Sequence, residues 1–586
     1  MHESTPPRWR AVRERVVLGA AASVVVGLGI GITGVATVSW EVLAEDGAAG
    51  WLGYAGYAVV LGSVLGSVVG TGYPRASQMA VTTCGGVLLG CLGWLLYPLT
   101  LVPLLAGETP TWSAGAAAAS YPQLVGDVLH GGLTGALLAV LITAGAGRTG
   151  SPAGTPATRQ TRILIIGGGF AGVSAGRAFE RLAVRGAPVD VTLVSESNYL
   201  LFTPMLAEVA SGALEARHIS APVRASVSHT RFRHGRVEQV DPIARTVRLA
   251  GPAGSIPYDH LVLAVGSVPH TFGPPGVEDH AWTLKNLSDA TRLRDHVIGL
   301  LERAEQELDP DVRRRILTFV VAGAGFAGTE TIAELYDLVY GVVRFYPAIG
   351  PQDARFVLVH PGDRILPELG PELAAYALER LEARGIEFRS GVRVAEATAD
   401  RVRLTDGEWL PSTTFVWTAG NRPGALASDL SGTDGGPLHT DRQLRVIGFD
   451  QVWAVGDCAR IPDPARDGEH CPPTAQHAIR AGAAVAANVA ATIAGREPAA
   501  FGFRTLGVLV ALGHRTAAGD VRGVRFSGFA AWVLWRGVYL AKLPGMEKRL
   551  RVLFDWLLDL AFPRDIVVTT AAASARPGEV VTGSGR

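Results

Sequence analysis

Apolar residues dominate four long stretches in the first quarter of the chain. They run roughly over 16–38, 51–71, 80–105 and 124–146. Each is close to the ~20 residues that a helix needs to cross the hydrocarbon core of a bilayer. The pattern predicts an N-terminal all-α domain of four transmembrane helices over residues 1–147.

The charges between these stretches predict which side of the membrane each connection faces, since Lys and Arg favour the cytoplasmic side. Basic residues occur before the first stretch, in the second connection and after the fourth, at Arg8, Arg10, Arg13, Arg15, Arg75, Arg148, Arg159 and Arg162. The other two connections carry acidic residues and no Lys or Arg, at Glu41, Glu45, Asp46 and Glu108. We therefore expect a multi-pass protein of the cell membrane, with its catalytic domain on the cytoplasmic side.

Beyond this region the apolar runs become short. Residues 148–160 are small, polar and rich in Pro and Gly, which is typical of a flexible linker. Short Val/Ile/Leu runs then alternate with helical patterns, and this alternation starts twice. It predicts an α/β fold with two Rossmann-like dinucleotide-binding domains, the second inserted in the first. We expect the first domain at 161–283 and 423–500, the second at 284–422, and a membrane-associating C-terminal segment at 501–586.

Composition limits the kinds of partner and site that the chain can have. The 53 basic residues balance 53 acidic ones, so no net charge attracts nucleic acid, and we expect no nucleic-acid partner. A mean hydropathy of +0.25 with 72 glycines is typical of a chain that lies partly in lipid. Four cysteines, Cys84, Cys91, Cys458 and Cys471, show neither zinc-type spacing nor a disulfide framework, and no metal site is expected.

The first candidate cofactor site is a GxGxxG fingerprint at Gly167, Gly169 and Gly172, directly after the strand pattern RILII. Glycines there permit a tight turn and let backbone N–H groups and a helix N-terminus approach a pyrophosphate. The following strand pattern ends at Glu196, whose carboxylate can accept hydrogen bonds from a ribose. A solvated charge at a strand end is the alternative interpretation of Glu196.

A second fingerprint, at Gly323, Gly325 and Gly328, follows the strand pattern FVVA and predicts a second dinucleotide. His360 stands where a ribose-binding acid is expected. A histidine with Arg364 nearby can tolerate a 2′-phosphate, so both NADH and NADPH remain candidates. An ordinary loop histidine is the alternative.

Three further segments, AVGS, TAG and AVGD, place small residues at strand ends and an acid at Asp457. The order of these five motifs resembles that of two-dinucleotide-binding flavoprotein oxidoreductases. The resemblance implies FAD at the first fingerprint and NADH or NADPH at the second, with Asp457 at the ribityl or phosphate part of the flavin. The further cofactor contacts that it implies are Phe170, Ala171, Val237, Gly266, Gly420 and Ala475.

Over roughly 160–570 the chain resembles type II NADH:quinone oxidoreductases, on the segments 197–212 and 475–482 and on the end segment. The resemblance implies that Gln476 borders a quinone tunnel, where Arg480 replaces a second family Gln. It places Glu330 near nicotinamide and flavin, and Lys542 near the quinone entrance. For Glu330 the alternative is a first-turn acid favoured by the helix dipole. No cysteine lies between Cys91 and Cys458, unlike in disulfide reductases and sulfide:quinone reductases.

The segment 532–565 alternates aromatic and aliphatic residues with basic ones, and its uncharged runs are too short to span a bilayer. It predicts amphipathic helices that lie in the membrane interface. Packing on the enzyme, or on a second copy in a homodimer, is the alternative. Asp127 and His130, near the start of the fourth apolar stretch, are expected at the water interface.

These patterns together predict a membrane-bound respiratory-chain enzyme. It would transfer a hydride from NAD(P)H to FAD and two electrons on to menaquinone or ubiquinone, without ion pumping. Two rivals remain: a reductase with a protein or soluble acceptor, and a membrane flavin redox sensor.

Overall fold

The computed structural model describes residues 16–18, 20–26, 59, 63, 78–96, 99–100, 120–146, 160–251, 254–432, 436–464 and 468–568. The chain divides into two compact units, Met1–Thr158 and Arg159–Arg586.

In the first unit two helices, Gln78–Leu96 and Tyr121–Ala146, pack together through glycines. A Cβ on Gly86 would lie 1.8 Å from Gly131 O, so the backbones are in direct contact there, as small residues allow between membrane helices. Among the described residues, one helix, Gln123–Ile142, is long and apolar enough to cross a membrane.

The two helices coincide with the third and fourth predicted stretches, whereas 16–38 and 51–71 fall mostly outside the described residues. His130, expected at the water interface, is buried among the described residues of this unit. Its Nε2 lies 3.0 Å from Ser23 Oγ, so this histidine ties two segments of the unit together.

The second unit is built on two parallel sheets with almost continuously apolar central strands, as expected where helices cover both faces. The first sheet has the order Val452–Ala454, His260–Leu263, Thr161–Ile166, Val189–Ser195 and Arg231–His234. The second has the order Ile386–Ser390, Arg355–His360, Thr318–Ala322 and Thr414–Trp417. The chain returns to the first sheet only after completing the second.

Smaller antiparallel sheets surround these two. They comprise Tyr199–Leu201 with Ser220–Pro222; Val237–Asp241, Thr246–Leu249 and Ser255–Pro257; Ser267–Pro269 with Asn421–Pro423; and Val394–Ala397, Arg401–Leu404 and Trp409–Pro411. A parallel pair joins Leu438–His439 to Ala459–Arg460. A last sheet, here the C-terminal sheet, contains Gly507–Ala511, Ala517–Val521 and Val524–Ser527.

Two helices begin at the fingerprints, the first fingerprint helix Phe170–Val184 and the second fingerprint helix Phe326–Val342. The first and second C-terminal helices are Gly528–Lys542 and Met546–Ala561. The other α-helices of the unit are Leu206–Ala210, Val223–Ser226, Val277–His280, Leu287–Gln306, Pro310–Ile316, Pro371–Glu382, Ala425–Ser431 and Ala475–Ile493.

The C-terminal helices present two different faces. Trp535, Val552 and Trp556 are buried in the largest hydrophobic core, which also contains the second fingerprint helix. Phe529 and Phe554 are exposed, as are other large apolar residues on the opposite side. The helices therefore pack on the second unit by one face, and their other face is apolar and exposed among the described residues.

Candidate active site

The first fingerprint forms a turn in which two glycines are required by the protein itself. Gly167 has φ +115°, and a Cβ on it would lie 2.1 Å from Ala264 O. A Cβ on Gly172 would lie 1.9 Å from Gly167 O. Gly169, the N-cap of the helix, has no side-chain cap, and its Cβ position is open. The turn thus directs the N-terminal end of a helix at empty space.

The second fingerprint repeats this arrangement. Gly323 has φ +103°, and a Cβ on Gly328 would lie 1.7 Å from Gly323 O. Gly325 caps the helix N-terminus without a side-chain hydrogen bond. Two uncapped helix N-termini, each at the carboxyl end of a parallel sheet, are suited to hold the pyrophosphates of two dinucleotides.

Glu196 is exposed directly after the strand Val189–Ser195, where a ribose can reach it. His360 ends the strand Arg355–His360, and its Nδ1 accepts a hydrogen bond from Ala324 N at 3.3 Å. Burial lowers the pKa of His360, so it is mostly neutral at neutral pH. The histidine therefore contacts the second glycine turn directly.

Asp457 belongs to a polar cluster that sequence reasoning missed in part. Ser267 Oγ donates to Asp457 Oδ2 at 3.1 Å, and Lys285 Nζ donates to Ser267 Oγ at 3.0 Å. Burial lowers the pKa of Lys285, and Asp457 opposes that shift. Lys285 stands in a segment, TLKN, without a motif to single it out. Lys285 Nζ also lies 3.4 Å from Asn421 Oδ1, so the cluster links Ser267 and Asp457 of the first expected domain to Lys285 and Asn421 of the second.

The remaining residues expected at the cofactors lie in turns or at the start of a helix or strand. Gly266 has φ +69° with open space at its Cβ position, whereas a Cβ on Gly420 would meet the Phe272 ring at 2.5 Å. Ala475 begins a helix that packs tightly on the first fingerprint helix, since a Cβ on Gly482 would lie 2.2 Å from Ala171 O. Val237 begins a strand of an antiparallel sheet and packs against its core.

Glu330 stands in the first turns of the second fingerprint helix, beneath the C-terminal sheet. Its Oε1 accepts a hydrogen bond from Ala511 N at 3.0 Å. Burial raises the pKa of Glu330 to about 8. A carboxyl with such a pKa can both release and take up a proton near neutral pH, as general acid–base catalysis requires.

A row of aromatic rings links Glu330 to the first fingerprint. Phe170 contacts Phe202 edge to face at 5.8 Å between centroids, and Phe202 contacts Tyr539 at 6.0 Å. Burial raises the pKa of Tyr539, and the charge of nearby Glu330 raises it further. Tyr539 therefore lies between the two glycine turns, on the first C-terminal helix. No sequence motif singled out Tyr539.

Gln476 binds the C-terminal sheet rather than open space. Its Nε2 donates to Gly507 O at 2.9 Å, and its Oε1 accepts from Leu506 N at 3.2 Å. Arg480 is exposed on the same helix, with its guanidinium 5.4 Å from the centre of the Phe503 ring. Lys542 is also exposed, and burial of its stem and the charge of Arg480 lower its pKa. Arg480 and Lys542 thus lie close to each other.

The protein matches two family models over most of its second unit. Residues 161–482 match "Pyridine nucleotide-disulphide oxidoreductase", and residues 506–565 match "NDH2 C-terminal domain". The first match alone covers more than half of the chain. It confirms the α/β dinucleotide-binding flavoprotein fold predicted from the five motifs.

Relatives that match about two thirds of the chain give the same result. A probable NADH dehydrogenase of Dictyostelium discoideum is 30% identical over 418 residues, 69% of this chain and 90% of the relative. Type II NADH:quinone oxidoreductase NdhA of Mycobacterium tuberculosis is 30% identical over 67% of this chain and 86% of its own length. A structure of NDH2 from Plasmodium falciparum in complex with NADH has a TM-score of 0.65 at 19% identity, covering 70% of this chain and all of that one.

The structural likeness shows the fold, whereas the sequence matches extend from the first fingerprint to the end of the C-terminal helices. The resemblance predicted from the sequence is thereby confirmed for this part of the protein. The chain belongs to the type II NADH:quinone oxidoreductase family.

Proposed function

We propose that this protein oxidises NADH and passes two electrons through FAD to a quinone, without ion pumping. One observation carries the proposal. Glu330, with its raised pKa, lies under the C-terminal sheet and is linked through Tyr539 and Phe202 to Phe170 of the first fingerprint. The two cofactor sites therefore meet at one partly buried carboxyl, where electron and proton transfer can be coupled.

The residues present fit FAD at the first fingerprint. The open space at Gly169 and the uncapped helix start suit a pyrophosphate, Glu196 suits a ribose, and Asp457 with Lys285 suits a polar chain beyond it. When bound, FAD accepts a hydride and returns two electrons. The protein then supplies position and protons.

At the second site we propose that Gly323, Gly325 and Gly328 hold the nicotinamide dinucleotide, with His360 beside its ribose. The glycine turns set the approach of the two ring systems, because hydride transfer needs roughly 3–3.5 Å between the reacting atoms. Val237, Gly266, Gly420 and Ala475 stay proposed contacts of the cofactors.

For the quinone we propose entry beside Arg480 and Lys542, with Glu330 as proton donor. Both basic side chains are exposed. Lys542 is the last residue of the first C-terminal helix, and Arg480 lies on the Ala475–Ile493 helix. Gln476 holds the C-terminal sheet against the Ala475–Ile493 helix and so shapes this side of the site.

We further propose that the uncovered face of the C-terminal helices lies in the membrane interface. Phe529, Val533, Phe554, Leu557 and Leu558 are large apolar residues exposed there, which suits the boundary between head groups and acyl chains. The four-helix N-terminal domain, its multi-pass topology and the cytoplasmic placement are part of the same proposal, as are the domain boundaries. The homodimer stays a prediction.

Steady-state oxidation of NADH by membranes that contain the protein tests the function. We expect oxidation to increase when a menaquinone or ubiquinone analogue is added, and to proceed without ion translocation into sealed vesicles. A protein or soluble acceptor that works better than any quinone would contradict the proposal, and so would slow turnover with every acceptor.

The choice between NADH and NADPH is expected to depend on pH through His360. Because burial lowers the pKa of His360 from its ordinary value, this side chain becomes cationic only in acid, where it can attract a 2′-phosphate. We expect the kcat/KM ratio of NADPH to NADH to rise as the pH falls from about 8 to about 5. The His360→Gln variant should lose most of that rise. Equal profiles for the two proteins would exclude His360 from the specificity.

A further inference from the structure

A cleft of about 870 Å³ opens on the side of the second fingerprint helix that faces the C-terminal helices. Its lining is unusually rich in charge for a space between packed helices, with Glu208, Glu334, Asp337, Arg384, Arg536 and Arg564. His514 and Arg515, both exposed, stand at its outer part. At its inner part are Ala511, whose N–H binds Glu330, and Trp535. The cleft therefore runs from solvent to the immediate neighbours of Glu330.

Polar atoms without partners indicate that water occupies this space. Among the described residues, Glu208 Oε2 and Arg536 Nε are buried and have no hydrogen-bond partner. The Trp535 indole lies beside the Glu330 carboxyl and lowers its pKa by hydrogen bonding. Buried polar atoms are nearly always satisfied by protein or by ordered water.

The carboxyl groups of the cleft continue toward Glu330 along one helix face. Glu334 and Asp337 follow Glu330 by four and seven residues on the second fingerprint helix, so the three lie on the same side. Ser211 Oγ donates to Glu334 Oε2 at 2.7 Å. The same hydroxyl also lies within hydrogen-bond distance of the backbone carbonyl of Glu208, three residues earlier. Glu334 is held by Arg564 at 3.1 Å.

Glu208 is the carboxyl in this cleft whose charge is least compensated. It is 5% exposed, accepts one hydrogen bond from Trp556 Nε1 at 3.1 Å, and has Arg536 only at 3.9 Å. Burial raises its pKa to about 8; Glu334 and Asp559 raise it as well, and Arg536 and Arg564 lower it. These are the charged groups that face Glu208 from the helices packed around it.

We propose that this cleft is the proton entrance of the enzyme, and that Glu208 takes up protons from its water and passes them by way of Glu334 to Glu330. The inference rests on the proposed quinone reduction. NADH delivers two electrons and one proton as hydride, and a quinol contains two added electrons and two added protons. Each turnover therefore takes one further proton from solvent, and the cleft supplies it.

The test compares wild type with Glu208→Gln, which keeps the shape and removes the titratable carboxyl proton. We expect kcat with quinone to fall about tenfold at neutral pH, with a larger solvent deuterium isotope effect. The anaerobic reduction of the bound flavin by NADH should keep its rate, since that half-reaction needs no proton from the cleft. Added imidazole, small enough for the cleft, should restore part of the lost turnover.

Two further variants separate proton transfer from loosened packing. Asp555→Asn breaks the partly buried pair of Asp555 with His218. Asp555 stands on the second C-terminal helix next to Trp556, the hydrogen-bond partner of Glu208, but outside the cleft lining. This variant should leave the isotope effect unchanged. Glu208→Asp keeps a carboxyl and should recover most of kcat.

The proposal would be overturned if Glu208→Gln kept the wild-type kcat and isotope effect, or if Asp555→Asn lost as much kcat as Glu208→Gln. It would also be overturned if neither added imidazole nor the Glu208→Asp substitution restored kcat with quinone. A wild-type protein that reduced no quinone would instead overturn the proposed function. The two failures are thus distinguishable.

Discussion

Replacing Gly172 by Val is expected to yield a protein without bound flavin. The new Cβ would stand 1.9 Å from Gly167 O, which is backbone and cannot rotate away. The turn must open, which costs more than the about 1–3 kcal/mol of ordinary overpacking. It also moves the N–H groups that would cradle the pyrophosphate. We expect the flavin absorbance per polypeptide in purified protein to fall at least about tenfold, and NADH oxidation to fall with it.

Two other glycines provide matched controls. At Gly169 a Cβ would meet no protein atom within 4 Å, at a φ of −79° that alanine adopts freely. Gly169→Ala should therefore fold with normal thermal stability and lose only flavin affinity, because the new methyl enters the space of the cofactor. Gly341→Ala lies on the second fingerprint helix, and no neighbouring atom stands within 4 Å of its Cβ position. This variant should change neither the thermal stability nor the flavin affinity. Full flavin content in Gly172→Val would contradict the assignment of this turn.

The same turns show why so much of the fold could be predicted. The glycines at both fingerprints are required by backbone contacts five residues apart, Gly167 with Gly172 and Gly323 with Gly328. Such local requirements leave a fixed spacing in the sequence. The buried strands before them likewise leave continuous apolar runs, as in Ile163–Ile166. The fold and the family were predictable because these signals are local.

The quinone side of the site depends instead on contacts between distant segments. Glu330 meets Ala511, and Glu208 meets Trp556 and Arg536. Tyr539 and Lys285 stand in no motif, and their positions follow only from how helices pack. Gln476, expected beside the quinone, binds Leu506 and Gly507 through its amide, contacts that no motif predicts. Sequence patterns cannot fix such contacts, since they record which face of a helix is apolar and not which partner covers it.

Replacing Glu330 by Gln is expected to slow quinone reduction about a hundredfold or more, the range typical of a lost general acid or base. Gln keeps the volume and can still accept the hydrogen bond from Ala511 N. Reduction of the bound flavin by NADH, followed anaerobically in a stopped-flow instrument, should change little. A loss confined to the quinone half-reaction would place the proton transfer there.

The pH profile decides whether Glu330 acts as the donor or only as packing. Its folded-state pKa is raised to about 8, so the protonated form prevails below that value and is lost as the pH rises through it. Wild-type kcat with quinone should therefore decline above about pH 8, and Glu330→Gln should be slow on both sides without that decline. Gln476→Ala provides the comparison, because it loosens the same region while leaving the carboxyl in place. That variant should raise KM for quinone and keep the decline of kcat at high pH. If Glu330→Gln retained the decline, or turned over quinone at the wild-type rate, the proton would come from another group.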